Sequence, residues 1–159
     1  MLKVGVALDG DPEVKGSAKL TYAAAGAIAP VKICGKLDYS FEKGWKFLRV
    51  FADANPPIED RPTRFGIWVK GNGSTEMVRA RITDAGDETF QPDLGPVNFT
   101  DWRCIYGDLS GTIAGHWGGK NTGRIKYPLR WDTLFLLDNR SGAKTGGTIY
   151  IGPAMLYYE

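Results

Sequence analysis

The side chains that most often carry catalysis are scarce in this chain of 159 residues, which contains one histidine, His116, and two cysteines, Cys34 and Cys104. A histidine-based zinc site of three or four ligands therefore cannot be built. The sequence has no G-x-S-x-G turn, no H-E-x-x-H helix, no phosphate-binding G-x-x-x-x-G-K-[ST] loop and no C-x-x-C pair. These absences argue against the common hydrolase, metalloprotease, nucleotide-binding and thiol-redox classes.

Carboxylates could still serve an acid–base enzyme, but the pattern around them does not favour it. Asp84, Asp87, Glu88 and Asp93 stand in turn-like segments, where Asp and Gly are expected for backbone reasons. None is set in an apolar run that would raise its pKa, as a general acid requires. We therefore expect a protein that is not an enzyme.

Binding is a better match to the unusual residues. Trp117 and His116 lie in a glycine-rich segment, residues 114–123, that is too polar for a core and is expected to be a loop. A tryptophan there either plugs a neighbouring groove or contacts a partner. Aromatic faces pack against the C–H side of a pyranose, and polar groups such as His116 satisfy its hydroxyls. The segment predicts a sugar-binding site.

The chain that follows this segment adds two candidates. Tyr127 and Arg130 stand in residues 125–131, which return the chain to a strand, and could line the same groove. The alternative is structural: Trp131 would pack at the edge of a sheet, and Arg130 would pair with a nearby aspartate.

The clearest local pattern is a pair of alternating segments. Phe65–Val69 and Val78–Ile82 both alternate apolar and polar residues, which is typical of half-buried strands. The Asn-Gly step between them predicts a tight hairpin turn. That hairpin would place Trp68, Arg79 and Arg81 on one face. If the face is concave, the arginines bind hydroxyls or carboxylates; if it is convex, they form a solvated row.

The rest of the chain also predicts short strands separated by Gly-, Pro- and Asp-rich turns. The fold class is therefore all-β, an antiparallel β-sandwich or jelly roll in a single domain over residues 1–159. Gly26 and Pro30 leave little room for a helix over Tyr22–Ile28. Trp45 and Trp102 are assigned to the core or its edge. The further predicted strands are Leu2–Leu8, Ala18–Ala24, Val31–Leu37, Lys46–Ala52, Trp102–Tyr106, Thr133–Leu137 and Gly147–Ile151, with a continuation through Met155–Tyr158.

Composition limits the partners. Twenty Lys and Arg against eighteen Asp and Glu give a formal charge of +2, which favours neither a nucleic acid nor a membrane surface. No apolar run approaches the ~20 residues of a membrane helix, and the first residues do not read as a signal peptide. The strand-like surroundings of Cys34 and Cys104 favour buried thiols, with a disulfide as the alternative.

Five segments together carry a family resemblance: residues 65–74 (FGIWVKGNGS), 78–84 (VRARITD), 86–91 (GDETFQ), 101–103 (DWR) and 147–151 (GTIYI). In this order the chain resembles a non-catalytic carbohydrate-binding module of the galactose-binding-like jelly-roll superfamily. The resemblance implies binding of a polysaccharide or oligosaccharide without catalysis. The ligand does not follow from it, since one scaffold serves many polymers. A neutral β-glucan or mannan is the first expectation, and an acidic polymer is the alternative.

The resemblance also raises the question of a metal and of a parent protein. Related modules commonly hold a structural calcium, and Asp9 and Asp11 could supply oxygen ligands, although a plain polar turn is the alternative. Here Ile151 is followed by Gly152-Pro153, where related modules often have an acidic residue. We expect a monomeric module of a longer secreted enzyme, attached to a glycoside-degrading domain. The alternative is an adhesion or protein-interaction domain.

Overall fold

A computed structural model describes residues 3–24, 32–109, 113 and 115–159 of the chain. In these ranges the chain forms strands and no helix. The strands are β1 (Val4–Gly10), β2 (Gly16–Ala24), β3 (Ile33–Phe41), β4 (Lys46–Ala52), β5 (Pro57–Ile58), β6 (Arg64–Lys70), β7 (Met77–Thr83), β8 (Glu88–Gln91), β9 (Asp93–Pro96), β10 (Trp102–Asp108), β11 (Gly115–Gly118), β12 (Leu129–Asp138) and β13 (Thr145–Tyr157).

The strands form two antiparallel sheets. The eight-stranded sheet has the order β1-β4-β12-β7-β8-β11, with β5 paired to β12 and β9 paired to β7. The five-stranded sheet has the order β10-β6-β13-β3-β2. This architecture confirms the all-β antiparallel sandwich that the sequence predicts.

One apolar core lies between the two sheets. Phe135 and Leu137 of β12 enter it from the eight-stranded sheet, and Phe65 and Ile149 enter it from the five-stranded sheet. All four are 2% exposed or less. Because side chains alternate along a strand, every strand that contributes to this core also presents a row of residues on the outer face of its sheet.

The predicted hairpin between residues 65 and 82 is wrong. β6 pairs with β10 and β13 in the five-stranded sheet, whereas β7 pairs with β12, β8 and β9 in the eight-stranded sheet. The Asn72-Gly73 step therefore lies in a segment that carries the chain from one sheet to the other. Both strands bury the residues that the alternation predicts, but they face the core from opposite sides.

Backbone contacts hold this crossing segment in place. The backbone amide of Gly73 donates to the carbonyls of Val97 and Phe99 at 3.1 and 3.0 Å. In addition, the side-chain amide of Asn72 donates to the Tyr39 hydroxyl at 2.9 Å. Gly71 packs against the same two carbonyls. A Cβ at this position would overlap the Phe99 oxygen and lie 2.9 Å from the Val97 oxygen.

The other predicted strands fall on observed ones, with shifted ends. Lys46–Ala52 has the same bounds in the sequence and in the structure. The final strand is longer than predicted, because Gly147–Ile151 and Met155–Tyr157 are parts of one strand with a bulge between Ile151 and Ala154. The sequence missed the short strands β5, β8, β9 and β11. Tyr22–Ala24 continue β2, and the remainder of the segment 22–28 lies outside the described residues.

The structure also bears on the predictions for the two cysteines and for a membrane-spanning helix. Cys34 and Cys104 are free thiols on β3 and β10, and Cys34 is buried whereas Cys104 is only partly so. In the ranges that the structure describes, there is no helix that is long and apolar enough to cross a membrane.

Replacing Gly71 by Ala is expected to lower the free energy of unfolding by about 2 kcal/mol, because the added methyl group overlaps backbone oxygens that cannot move aside. Gly86→Ala is the matched control, since its nearest neighbour would be 3.4 Å away. Urea unfolding of both variants measures the difference. Equal stability of the two variants would contradict the crossing geometry.

Candidate functional site

The outer face of the eight-stranded sheet carries a row of aromatic rings interrupted by one arginine. Trp45 and Phe47 lie with ring centroids 5.4 Å apart, and the guanidinium carbon of Arg81 lies 5.4 Å from the Phe47 ring. The same carbon lies 5.0 Å from the ring of Trp117. Arg81 is therefore within cation–π distance of two aromatic rings, which is favourable for a planar cation.

The two tryptophans at the ends of this row are open to solvent. Trp45 is 52% exposed and Trp117 is 41% exposed, whereas Phe47 between them is buried. The indole nitrogen of Trp45 donates to the Asp138 carboxylate at 3.1 Å, which fixes the orientation of the ring. We call the outer-face set Trp45, Phe47, Arg81 and Trp117 the aromatic row.

Beside the aromatic row, arginines pair with carboxylates of the same chain. Arg49 of β4 donates to Asp9 at 2.7 Å. Arg79 of β7 donates to Asp93 at 2.5 Å and also to the largely buried Asp138. At the far end of β12, Arg130 donates to Asp87 at 2.6 Å. These pairs neutralise most of the positive charge on this face.

Arg81 differs from its neighbours, because its hydrogen-bond partner is neutral. Its Nε donates to the amide oxygen of Gln91 at 2.8 Å. Burial lowers the pKa of Arg81, and the charge of Arg49 lowers it further, whereas Asp132 and Asp9 partly offset this effect. Among the described residues, no carboxylate lies within ion-pair distance of this guanidinium.

A small depression opens over the aromatic row. Its volume is about 80 Å³. The walls combine the aromatic rings Trp45 and Phe47, the guanidinium groups of Arg79 and Arg81, and the polar ends of Gln91 and Asp138. This combination offers apolar contact and directed hydrogen bonds to a ligand that lies across the sheet.

A buried carboxylate anchors the strand that carries Trp117. Glu88 of β8 is 2% exposed, and its oxygens accept from the amides of Thr122 at 2.6 Å and Gly123 at 2.8 Å. His116 Nδ1 lies 3.2 Å from the same carboxylate and 2.7 Å from the Asn121 side-chain oxygen. Glu88 therefore clamps β11 to the turn that follows it.

Hydrogen bonds set the charge state of this carboxylate. Burial by itself would raise the pKa of Glu88, but the backbone amides of Gly123 and Thr122 and the nearby His116 hold the pKa below its ordinary value. The group is therefore ionised and structural. Asp84 also accepts backbone hydrogen bonds: it is 1% exposed, and its carboxylate accepts from the amides of Gly86, Glu88 and Lys126.

Four of the residues that the sequence proposes for the ligand lie on one face. Trp117, Arg79, Arg81 and Arg130 all point outward from the eight-stranded sheet, on β11, β7 and β12. His116 points the other way: its ring stacks on the core residue Phe90 at a centroid distance of 5.9 Å. Its contacts position β11, and so position Trp117. The predicted loop at 114–123 is partly a strand, since Gly115–Gly118 pairs with β8.

Two predicted ligand residues lie elsewhere. Trp68 is on the outer face of the five-stranded sheet, on the opposite side of the sandwich from Arg79 and Arg81. Tyr127 packs against the core, and its hydroxyl donates to the Pro62 carbonyl at 2.7 Å. It lines a separate, larger depression of about 680 Å³ with Arg61 and Tyr158. Trp68 therefore does not share a face with Arg79 and Arg81, and Tyr127 does not join Trp117 on the outer face.

Sequence reasoning missed the part of the face that β4 provides. Trp45 was assigned to the core or its edge, yet half of its surface is open. Phe47 and Arg49 lie on the outer face because Leu48 and Val50, which alternate with them along β4, fill the core. The alternation within Lys46–Ala52 could have revealed Arg49. No sequence pattern pointed to Gln91 or Asp138, because their role here is to accept hydrogen bonds from Arg81 and Arg79 of β7.

The residues predicted for calcium do not fit that ion as placed. The carboxylate of Asp9 is engaged by Arg49, and Asp11 accepts from the Glu13 amide at 3.0 Å in a local turn. Throughout the described ranges, no three or more His, Cys, Asp and Glu side chains cluster closely enough to hold a metal ion. Calcium prefers six to eight oxygen ligands, which this segment does not assemble.

Comparison with solved structures finds the same fold in carbohydrate-binding modules. The family 11 module of the cellulosomal cellulase Lic26A-Cel5E of Clostridium thermocellum matches with a TM-score of 0.62 and 10% identity, over 100% of this chain and 89% of the other. A family 11 module from Clostridium thermocellum in complex with a beta-1,3-1,4-mixed-linked tetrasaccharide matches with a TM-score of 0.60 and 13% identity, over 97% and 88%. No model of a protein family matches, and no curated protein does.

Glu88 predicts a pH dependence of stability. Because its pKa is lower in the folded state than in the unfolded state, its contribution is complete above the ordinary carboxyl pKa of 4.5 and is lost as pH falls through the folded value. Glu88→Gln should therefore be less stable at pH 7 and lose less stability than the wild type between pH 5 and about pH 2. Urea unfolding across this range measures both slopes. Parallel curves would contradict the clamp.

The calcium prediction is tested by thermal unfolding. Because Arg49 occupies the Asp9 carboxylate, we expect the same melting temperature in EDTA and in about 1 mM calcium, within about 1 °C. Asp11→Asn serves as the matched variant and should behave like the wild type in both solutions. A calcium-dependent rise that Asp11→Asn abolishes would restore the predicted site.

Proposed function

We propose that this chain is a non-catalytic module that binds a polysaccharide chain across the outer face of its eight-stranded sheet. The observation that carries the proposal is the aromatic row, whose two exposed tryptophans flank a guanidinium group. Indole faces pack against the C–H side of a pyranose, and guanidinium and amide groups bond to its oxygens. The row provides both in one line across the strands.

The buried carboxylates support a non-catalytic role. A general acid that cleaves a glycosidic bond needs a pKa raised towards neutrality. Glu88 has a lowered pKa, and the carboxylate oxygens of both Glu88 and Asp84 accept hydrogen bonds from backbone amides. Asp138 is held by Arg79 and Trp45. These groups build the face rather than act on a ligand.

The ligand is expected to be a β-linked polymer. A mixed-linked β-glucan tetrasaccharide is bound by one of the modules with this fold, and a β-glucan or mannan is our starting candidate here. We expect modest affinity, with a Kd of about 10 to 100 μM, since sugar hydroxyls exchange one set of hydrogen bonds for another at little net gain.

The biological role that we propose is targeting. A module that holds a polymer raises the local concentration of any catalytic domain attached to it. One structural neighbour is a module of a cellulosomal cellulase, which supports a glycoside-degrading enzyme as the attached partner. We propose that the module works as a monomer outside the cell, where such polymers are found.

Affinity electrophoresis through β-glucan, glucomannan, xylan, galactan and alginate tests the proposal. We expect at least one polymer to retard the wild type, and Trp117→Ala to weaken that binding by about tenfold or more, because it removes one stacking surface. Trp45→Ala, at the other end of the aromatic row, should also weaken it. Thermal unfolding checks that each variant is folded.

Trp68→Ala is the matched control, because its indole lies on the opposite side of the sandwich. It should bind like the wild type. Loss of binding in Trp68→Ala alone would move the site to the five-stranded sheet. Absence of retardation by every polymer, with the protein folded, would contradict the proposal and favour the adhesion or protein-interaction alternative.

A further inference from the structure

Three arginines on the outer face have a carboxylate partner among the described residues, and a fourth, Arg81, does not. Arg49, Arg79 and Arg130 all have a carboxylate of this chain within ion-pair distance. Arg81, at the centre of the aromatic row, has none among the described residues. It is the member of this set whose counter-charge the protein does not supply.

The geometry of Arg81 leaves one edge of the guanidinium available. The rings of Phe47 and Trp117 lie near its guanidinium carbon, and its Nε donates to Gln91. Within the described part of the chain, its two terminal nitrogens form no ion pair with a carboxylate. Two parallel N–H groups at such an edge match the two oxygens of a carboxylate.

Neighbouring side chains restrain Arg81. The rings of Phe47 and Trp117 lie near its guanidinium, and the hydrogen bond to Gln91 anchors its Nε. Arg49 and Arg79 on the adjoining positions of the sheet have their own carboxylates, so neither Asp9 nor Asp93 is available to turn towards Arg81. Asp132 is the other nearby acid, and it accepts from Thr133 at 3.0 Å.

We propose that the polysaccharide recognised by this face carries a carboxylate, supplied by a uronic acid residue that binds the terminal nitrogens of Arg81 while neighbouring sugars stack on Trp117 and Trp45. This inference rests on the proposed function and replaces its neutral starting candidate with an acidic β-linked chain. A uronate is ionised at neutral pH, as carboxyl groups with an ordinary pKa are. A carboxylate here would form the ion pair that Arg81 does not make with the described residues.

A neutral sugar is the competing ligand for the same edge. The terminal nitrogens of an arginine can also donate to two adjacent hydroxyls, but only a carboxylate adds an opposite charge and accepts both bonds in parallel. This added attraction is greater where the cation is partly withdrawn from water, as Arg81 is. The preference should therefore be visible as a ratio of affinities.

The experiment compares oligosaccharides that differ only at C6. Hexasaccharides of β-1,4-linked glucuronate and of β-1,4-linked glucose share length and backbone, and β-1,4-mannuronate and mannan hexasaccharides form a second pair. Isothermal titration calorimetry at pH 7 measures each Kd. We expect the acidic member of at least one pair to bind about tenfold or more tightly than its neutral counterpart. Added NaCl should weaken the acidic member selectively.

Variants of Arg81 assign the effect to this residue. Arg81→Gln should weaken the acidic member more than the neutral one and so remove the preference, whereas Arg81→Lys, which keeps the charge and loses the planar edge, should retain part of the preference. Arg64→Gln, which removes an arginine from the five-stranded sheet, is the matched control and should bind like the wild type. Circular dichroism checks the fold of each.

The possible outcomes distinguish failure of this inference from failure of the proposed function. If both acidic members bind no more tightly than their neutral counterparts, and a neutral member binds through Trp117, the proposal of a carboxylate ligand is wrong. The proposed polysaccharide-binding function would then still stand. An acidic preference that survives in Arg81→Gln would also overturn the assignment. Absence of binding by all four oligosaccharides and by every polymer of the electrophoresis panel would overturn both.

Discussion

Alternation of side chains around one shared core determines the arrangement of this molecule. Both sheets bury one side of their strands in the same apolar layer, so each strand can present only its remaining residues to solvent. Val78, Ala80 and Ile82 enter the core, and the residues between them, Arg79 and Arg81, must therefore lie outside. The same constraint on β4 puts Phe47 and Arg49 beside them. The candidate site is thus a direct consequence of how the core is filled.

On that outer face, electrostatics and stacking divide the arginines into two kinds. Arg49 and Arg79 are fixed by carboxylates of adjoining strands, and these pairs hold the polar surface in a defined geometry. Arg81 instead lies near two aromatic rings and donates to a neutral amide. Rings and an amide do not neutralise a guanidinium, so Arg81 is the arginine of this group without an ion pair among the described residues. The contrast between the ion-paired arginines and Arg81 gives the face its chemical character.

The edge of the eight-stranded sheet depends on a different device. β11 has four residues, and a strand of this length gains little from its ladder alone. Glu88 compensates by accepting two backbone amides from the turn that follows, and His116 joins it from β11 itself. Trp117 is consequently held at a fixed distance from Arg81. A buried carboxylate and a histidine therefore position the strand that carries Trp117, although the same two groups could suggest catalysis.

The sequence by itself determined which side of each strand is buried, and with it the all-β class and the outward placement of Arg79 and Arg81. Periodicity reports burial, which is a property of each strand, whereas pairing depends on residues far away in the chain. For this reason only the tertiary structure decided that β6 and β7 lie in opposite sheets, which separates Trp68 from the arginines. The exposure of Trp45, the carboxylate partners of Arg49 and Arg79, and the neutral partner of Arg81 were decided in the same way. Each arises where strands distant in sequence meet, and no local pattern encodes such a meeting.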